Sequence, residues 1–262
     1  MTDQANFVLS TVYPSNIYPL SCVLSGSRAY GLNVESSDWD YLGLHLMDSR
    51  ACLQPPGHED QILVYQKAYD QDYKETLDPG SYLSLVSYEV WRFLDQIERG
   101  GFQSYELLYL PQIYSDSSTE YLISLLRELI TNKIGLVAEK MARNSRTTHP
   151  TSRKAAVICG YRLLQAILFL TEEEFAWHID DLCDHFRDIC KVYQEIVAVY
   201  VNPETRRDPL TAQEQIDLAK EFSSLYRELE RARIITRIPG RYSPRVYQEA
   251  LSVLLKIRAS LI

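Results

Sequence analysis

Apolar residues in the first third of the chain fall into short runs separated by turn residues, as in a β-sheet. Residues 17–24 are apolar and partly β-branched and end at Ser25-Gly26-Ser27, so they predict a strand that leads into a tight turn. Residues 41–47 alternate around three leucines and predict a second strand, and residues 61–66 predict a third. This part of the chain is therefore expected to form a small sheet.

The spacing of apolar residues changes to that of helices after Pro79-Gly80. Apolar residues from 86 to 97 recur every three or four positions, and Ser117 opens a Ser-x-x-Glu sequence that predicts a capped helix start. Residues 154–170 are nearly all apolar and predict a buried central helix. Further helices are predicted over 186–200, 219–232 and 246–262, with a loop at 202–210.

These patterns together predict an α+β fold with two domains. A small α/β domain is expected over residues 1–112, and a helical domain over residues 113–262. A chain of 262 residues with 46% hydrophobic content can bury cores of that size. No internal repeat or low-complexity tract interrupts the pattern.

Charge and the length of apolar runs argue against some classes of function. A net charge of −8 disfavours binding to long duplexes but suits a small nucleotide whose magnesium supplies positive charge. The longest apolar runs are far short of the roughly 20 residues of a membrane span, and residues 1–10 lack the basic head of a secretory signal. Five cysteines without a CxxC pair argue against a disulfide framework. A cytoplasmic protein with reduced thiols and no membrane partner is expected.

Candidate catalytic chemistry lies between residues 24 and 41. A strand delivers Gly26-Ser27 to a helix start, where a residue without Cβ lets backbone N–H groups approach phosphate oxygens. Asp38 and Asp40 flank Trp39 at the start of the next strand, so the two-residue period puts both carboxylates on one face. Such a pair can share divalent cations that also bind substrate phosphates. Either acid alone would be better explained as a solvated turn or strand residue.

This combination resembles the Gly-Ser plus Asp-hydrophobic-Asp signature of the DNA polymerase β superfamily of nucleotidyltransferases. Residues 26–32 (GSRAYGL) followed by 37–43 (SDWDYLG) look closest to the RNA-repair-associated and phage-type nucleotidyltransferases. Weaker similarities follow at 92–94 (RFL), at Gly100, at 105–108 (YELL) and in the segment 154–164. The first block is specific, and the later ones are weak individually.

The resemblance implies a palm domain with a mixed sheet followed by a helical domain, with NTP and magnesium or manganese in the cleft between them. It implies transfer of a nucleoside monophosphate from NTP to an acceptor hydroxyl with release of pyrophosphate. An RNA 3′ end, such as that of tRNA, is the favoured acceptor. Asp38 and Asp40 are the implied catalytic metal ligands. The implied nucleotide-binding residues are Gly26, Ser27, Arg28, Ser37, Lys154 and Arg162.

The chain departs from the family pattern at the third metal carboxylate. That carboxylate is expected nine residues before Phe93, where this chain has Ser84. Asp78 is the candidate replacement as a metal ligand, ahead of Asp72 and Glu89. The alternative function is therefore a catalytically impaired relative that binds nucleotide or RNA, or that acts as a regulatory partner.

The predicted central helix and two charged stretches carry the remaining candidates. Lys154 and Arg162 are charges in a largely apolar segment, where a charge needs a partner. Gly160 lies where the family commonly has histidine. An acidic stretch at 178–188 is better explained as a solvated face than as a metal site. Arginines at 231–245 fit RNA binding and a helix C-terminus equally well.

Overall fold

The computed structural model describes residues 17–47, 61–67, 82–115, 117–138 and 152–260. These residues form two compact units. The first unit takes in those within Met1–Arg28, Glu35–Thr131 and Arg241–Ile262, and the second takes in those within Ala29–Val34 and Asn132–Gly240.

Five strands and nine helices have both ends within the described residues. The strands are β1 (Ile17–Ser25), β2 (Trp39–Met47), β3 (Gln61–Lys67), β4 (Tyr82–Glu89) and β5 (Gln112–Ser115). The helices are α1 (Gly26–Ala29), α2 (Val90–Arg99), α3 (Phe102–Tyr109), α4 (Ser117–Glu128), α5 (Arg153–Glu172), α6 (Ile179–His185), α7 (Lys191–Val201), α8 (Ala212–Ile235) and α9 (Pro244–Ala259).

The strands form one mixed sheet in the order β3-β4-β2-β1-β5. β2 runs parallel to β4, and every other neighbouring pair is antiparallel. One face buries a cluster of Cys22, Tyr41, Leu83 and Leu85. The three predicted strands, the mixed sheet and the α+β fold class are confirmed.

The helix predicted from residue 86 is wrong at its start, because β4 continues to Glu89 and α2 begins only at Val90. The carboxylate of Glu89 sets this boundary, since it accepts a hydrogen bond from the N–H of Trp91 at 2.6 Å and caps the helix. Glu89 also pairs with Arg258 of α9 at 3.1 Å, with only 2% of its side chain exposed. The helix ends at Gly100, whose φ of 75° is left-handed.

The first unit contains helices from both sides of residue 112, where the sequence predicts the boundary between the two domains. That position lies at the start of β5, which hydrogen-bonds to β1. α4 and α9 pack together, and α9 buries Ala250, Leu254 and Ile257. The C-terminal helix therefore belongs to the unit that contains the sheet, where Arg258 joins it to Glu89.

The second unit is helical and is built around α5, which packs against α7 and α8. Arg153, at the start of α5, is buried and forms two hydrogen bonds with Glu214 of α8 at 2.7 and 3.1 Å. The predicted central helix over 154–170 is confirmed within α5. α5 is long and apolar enough to cross a membrane by composition alone, but 72% of its most apolar window is buried inside the protein.

The helix predicted over 186–200 is wrong at its start. Residues 186–189 form turns, and α7 begins at Lys191. Glu221 of α8 fixes this beginning, because its carboxylate accepts hydrogen bonds from the N–H groups of Val192 and Tyr193, both at 2.8 Å. The loop predicted at 202–210 is confirmed, and the helices predicted over 219–232 and 246–262 lie largely within α8 and α9.

Candidate active site

The candidate site lies at the sheet edge where β1 ends and β2 begins. Ser25 is the cross-strand partner of Asp40, and Asp40 is in turn the partner of Ser84 on β4. Side chains of cross-strand partners point to the same face of a sheet. Ser25, Asp40 and Ser84 therefore form a row across three neighbouring strands.

Gly26 brings the turn after β1 into contact with Asp40. Its φ of 65° is left-handed, a conformation that only glycine adopts without strain. A Cβ at this position would lie 3.0 Å from the Asp40 Cβ and would overlap the carboxylate oxygen Oδ2. Glycine is therefore required here both by the backbone conformation and by the close approach of the carboxylate. The predicted passage from strand through Gly26-Ser27 into a helix is present, although α1 is only one turn long.

The two aspartates occupy different environments. Asp38 is exposed and precedes β2, whereas Asp40 is half-buried as the second residue of β2. The Ser84 hydroxyl donates a hydrogen bond of 2.5 Å to the Asp40 oxygen Oδ1. The position that the family resemblance assigns to a third carboxylate thus lies directly beside Asp40, but it supplies a hydroxyl donor instead of a second negative charge.

Arg28 holds the loop that leads to Asp38. Its guanidinium donates to the carbonyl of Ser37 at 2.8 and 3.1 Å and to the carbonyl of Glu35 at 3.1 Å. It also stacks over the ring of Trp39, 4.1 Å from the ring centroid. Arg28 thereby contacts residues on both sides of Asp38. Ser37, predicted to bind nucleotide, is buried and contributes its carbonyl to this network.

Glu106 of α3 contacts the end of β1. It is buried, and the Ser25 hydroxyl donates to its oxygen Oε2 at 3.3 Å. Burial and the neighbouring Glu106 charge raise the pKa of Tyr88 above its ordinary value. The spacing of residues along the chain does not predict a contact between residues 25 and 106. The family similarity at 105–108 was the one feature of the sequence that pointed to this segment.

The two candidates on α5 lie in the second unit. Lys154 is exposed and Arg162 is half-buried, so the apolar composition of the helix did not identify its buried charge. That charge is Arg153, with 6% of its side chain exposed. Its hydrogen bonds are the main reason why the pKa of Glu214 is lowered. Asp78, the candidate third metal ligand, lies outside the described residues.

The acidic side chains at this sheet edge suit one kind of metal site and not another. Among the described residues, no group of three or more His, Cys, Asp or Glu could hold a metal ion. Magnesium commonly binds one or two protein carboxylates together with substrate phosphates and water. Asp38 and Asp40 therefore fit an ion that arrives with a nucleotide, and they do not fit a site made of described protein ligands alone.

Comparison with known proteins identifies a distant structural similarity but no match to a family model or to a curated protein. No protein-family model matches the chain, and neither does any curated protein. Among solved structures, the chain is similar to the crystal structure of a nucleotidyltransferase-like protein from Exiguobacterium sibiricum 255-15. The two are 10% identical, with a TM-score of 0.32, over 87% of this chain and 73% of that one.

Proposed function

We propose that this sheet edge binds an NTP with magnesium or manganese and transfers its nucleoside monophosphate to an acceptor hydroxyl, with release of pyrophosphate. The observation that carries the proposal is the packing of the Gly26 turn against the Asp40 carboxylate. In this packing a backbone turn without a Cβ lies against the carboxylate oxygen that we assign to the metal. Phosphates and their metal need those two kinds of group next to each other.

Each residue of the edge has a role under this proposal. Asp38 and Asp40 hold the ion, and the Gly26-Ser27 turn binds phosphate. Arg28 positions the loop before Asp38 through its hydrogen bonds to Glu35 and Ser37. When bound, the ion offsets charge on the phosphates and lowers the pKa of the attacking hydroxyl. Lys154 and Arg162 remain candidates to neutralise the triphosphate.

An RNA 3′ end is the acceptor that the family resemblance favours, and tRNA is the RNA class to test first. The net charge of −8 fits a short contact with an RNA end better than a long duplex interface. The same resemblance favours a place in RNA repair, and a cytoplasmic location is part of the proposal.

The test is incubation of purified protein with magnesium and each NTP labelled at the α-phosphate, with and without total tRNA. We expect label on the RNA, and we expect it to be lost in Asp38→Asn and Asp40→Asn. The matched control is Asp188→Asn, which removes an exposed carboxylate of the second unit and should keep full transfer. Transfer that survives both site variants would contradict the assignment of the aspartates.

Ser84 favours a second candidate function, a protein that binds nucleotide or RNA without transfer. A hydroxyl that donates to Asp40 adds no negative charge for a second ion. Binding of NTP that depends on magnesium, without transfer to any acceptor, would support this candidate. Ser84→Asp should then increase transfer if the missing carboxylate is the defect, whereas Ser84→Ala, which removes the same hydroxyl, should not.

A further inference from the structure

The first unit has a small cavity that is lined by α2 and by the start of α9. Its volume is about 150 Å³. Three aromatic side chains line it: Trp91 of α2, Tyr242, which precedes α9, and Tyr247 of α9. All of its lining residues belong to the first unit, and none of them is a residue of the sheet edge. The proposed nucleotide chemistry therefore gives this cavity no role.

The aromatic part of the lining is partly open to solvent. The ring centroids of Tyr242 and Tyr247 lie 5.2 Å apart, with an angle of 28° between the ring planes, so the two tyrosines form a stacked wall. Trp91 lines the same cavity and has 43% of its surface exposed. Aromatic rings attract a cation that is placed over their faces, because those faces carry negative charge.

The charged part of the lining is acidic. Asp95 and Glu98 of α2 line the cavity, and among the described residues no basic side chain does so. Glu98 lies in the last turn of α2, where the helix dipole is negative. Burial, the Glu98 charge and Tyr247 together raise the pKa of Tyr242. A negative charge that opposes ionisation of this tyrosine favours a positive charge at the same place.

The volume of the cavity limits what can enter it. An apolar cavity of about 150 Å³ holds a ligand of the size of benzene, and a trimethylammonium group is no larger than that. A purine base is larger, and the phosphates of a nucleotide would be repelled by the two carboxylates. Leu94, Ile97 and Leu129 complete the lining. These aliphatic side chains suit methyl groups better than a hydrated metal ion, which needs oxygen ligands.

From this combination we propose that the cavity binds the methylated ammonium group of an organic cation. Aromatic rings together with carboxylates are the surroundings in which proteins recognise quaternary ammonium groups. The rings of Trp91, Tyr242 and Tyr247 contact the methyl groups, and the carboxylate of Glu98 supplies the opposite charge. The same chemistry occurs in a free quaternary amine such as choline and in a trimethylated lysine side chain.

Titration calorimetry on the full-length protein, at constant low ionic strength, tests the proposal. The ligands are choline, an acetylated trimethyllysine amide, and the uncharged analogue of choline in which a tert-butyl group replaces the trimethylammonium group. We expect choline or trimethyllysine to bind at least about tenfold more tightly than the uncharged analogue, and the tighter of the two identifies the source of the group. Equal binding of all three, or no binding, would overturn the proposal. Tighter binding of adenosine would also overturn it, in favour of a site for nucleobases.

Variants of Glu98 assign the binding to this cavity. Glu98 is the carboxylate to change, because Asp95 also pairs with Arg99 at 2.9 Å and with Arg92 at 3.5 Å on the helix surface. Glu98→Gln changes an exposed side chain and should weaken binding of the ammonium ligand at least about threefold. The matched control is Glu128→Gln, which removes an exposed carboxylate of α4 in the same unit and should bind like the wild type.

Variants of Tyr247 separate the role of the ring from that of the hydroxyl. Tyr247 is half-buried, so both variants should fold, which melting curves check. Tyr247→Phe keeps the ring and should bind the ammonium ligand like the wild type, whereas Tyr247→Leu should bind it at least about threefold more weakly. Full binding in Glu98→Gln or in Tyr247→Leu would overturn the assignment of the ligand to this cavity.

Discussion

Replacement of Gly26 by alanine should lower the free energy of unfolding by more than the left-handed backbone conformation alone would. An alanine at a φ of 65° costs about 1–2 kcal/mol, because the left-handed region crowds its Cβ. The same Cβ would lie 3.0 Å from the Asp40 Cβ and overlap Oδ2. Forcing such an overlap in a packed region costs roughly a further 1–3 kcal/mol. We expect a total loss in the free energy of unfolding of about 3 kcal/mol.

Gly100→Ala is the matched control. Gly100 also has a left-handed φ, 75°, at the end of α2, so alanine there carries the backbone cost without the Asp40 overlap. Denaturant unfolding of the two variants should therefore differ by about 2 kcal/mol. Under the proposed function the same overlap displaces the Asp40 oxygen assigned to the metal, so magnesium-dependent NTP binding should weaken at least about tenfold in Gly26→Ala. Gly100→Ala should bind NTP like the wild type.

Equal stability losses in the two variants would refute the inferred contact between the Gly26 turn and Asp40. Unchanged NTP binding in Gly26→Ala, with the stability difference present, would instead refute the role of this turn in binding nucleotide. Titration calorimetry with each of the four NTPs, with and without magnesium, measures the second quantity.

Three further predictions concern the second unit and the loop before Asp38. Gly160→Ala should destabilise the protein by about 2 kcal/mol in denaturant unfolding despite a better helix propensity, because its Cβ would overlap the ring of the buried Tyr193; no loss would contradict that packing. Arg153→Leu should cost about 2 kcal/mol, because it leaves the carboxylate of Glu214 without its main partner. The pKa of Glu214 is lowered in the folded protein, so the pair stabilises the fold at neutral pH, and this stability is lost as pH falls through the folded pKa. The melting temperatures of wild type and variant should therefore converge between pH 7 and pH 3. A difference in melting temperature that stays constant over this range would count against the pair. Arg28→Lys should weaken NTP binding with little change in melting temperature, because an ammonium cannot reproduce the fork that Arg28 places on two loop carbonyls; full binding in this variant would show that the loop needs no such support.

Local patterns were sufficient for the strands that begin the sheet, but not for β4. Its residues continue an apolar spacing that also fits the first turns of α2, and neither Gly nor Pro marks the change at Glu89. The carboxylate of Glu89 makes that boundary by capping α2 and pairing with Arg258, which lies far away in sequence. A contact between residues so far apart in sequence leaves no periodic pattern, so the spacing of apolar residues did not predict this strand.

The same limit applies to individual site residues. Gly26 and Asp40 were selected from spacing, and the hairpin register of β1 and β2 explains why they meet. The loop-holding contacts of Arg28 depend on the path of residues 35–37, which no periodicity describes. On α5, composition predicted an apolar helix but not which of its faces is buried. Lys154 was therefore predicted to need a partner, whereas the buried charge of this helix is Arg153.

The two oxygens of Asp40 face different neighbours, and this difference bears on the two candidate functions. Oδ2 faces the Gly26 turn, where the proposed phosphate site lies. Oδ1 accepts the Ser84 hydroxyl, on the side where the resemblance expects a third carboxylate. Under the proposed function, the described residues therefore supply the groups for a nucleotide and its ion, while the side that would activate the acceptor hydroxyl has a donor in place of an acid. Nucleotide binding should depend on Gly26 and Asp40 whichever function holds, and transfer is the property that depends on what stands beside Oδ1.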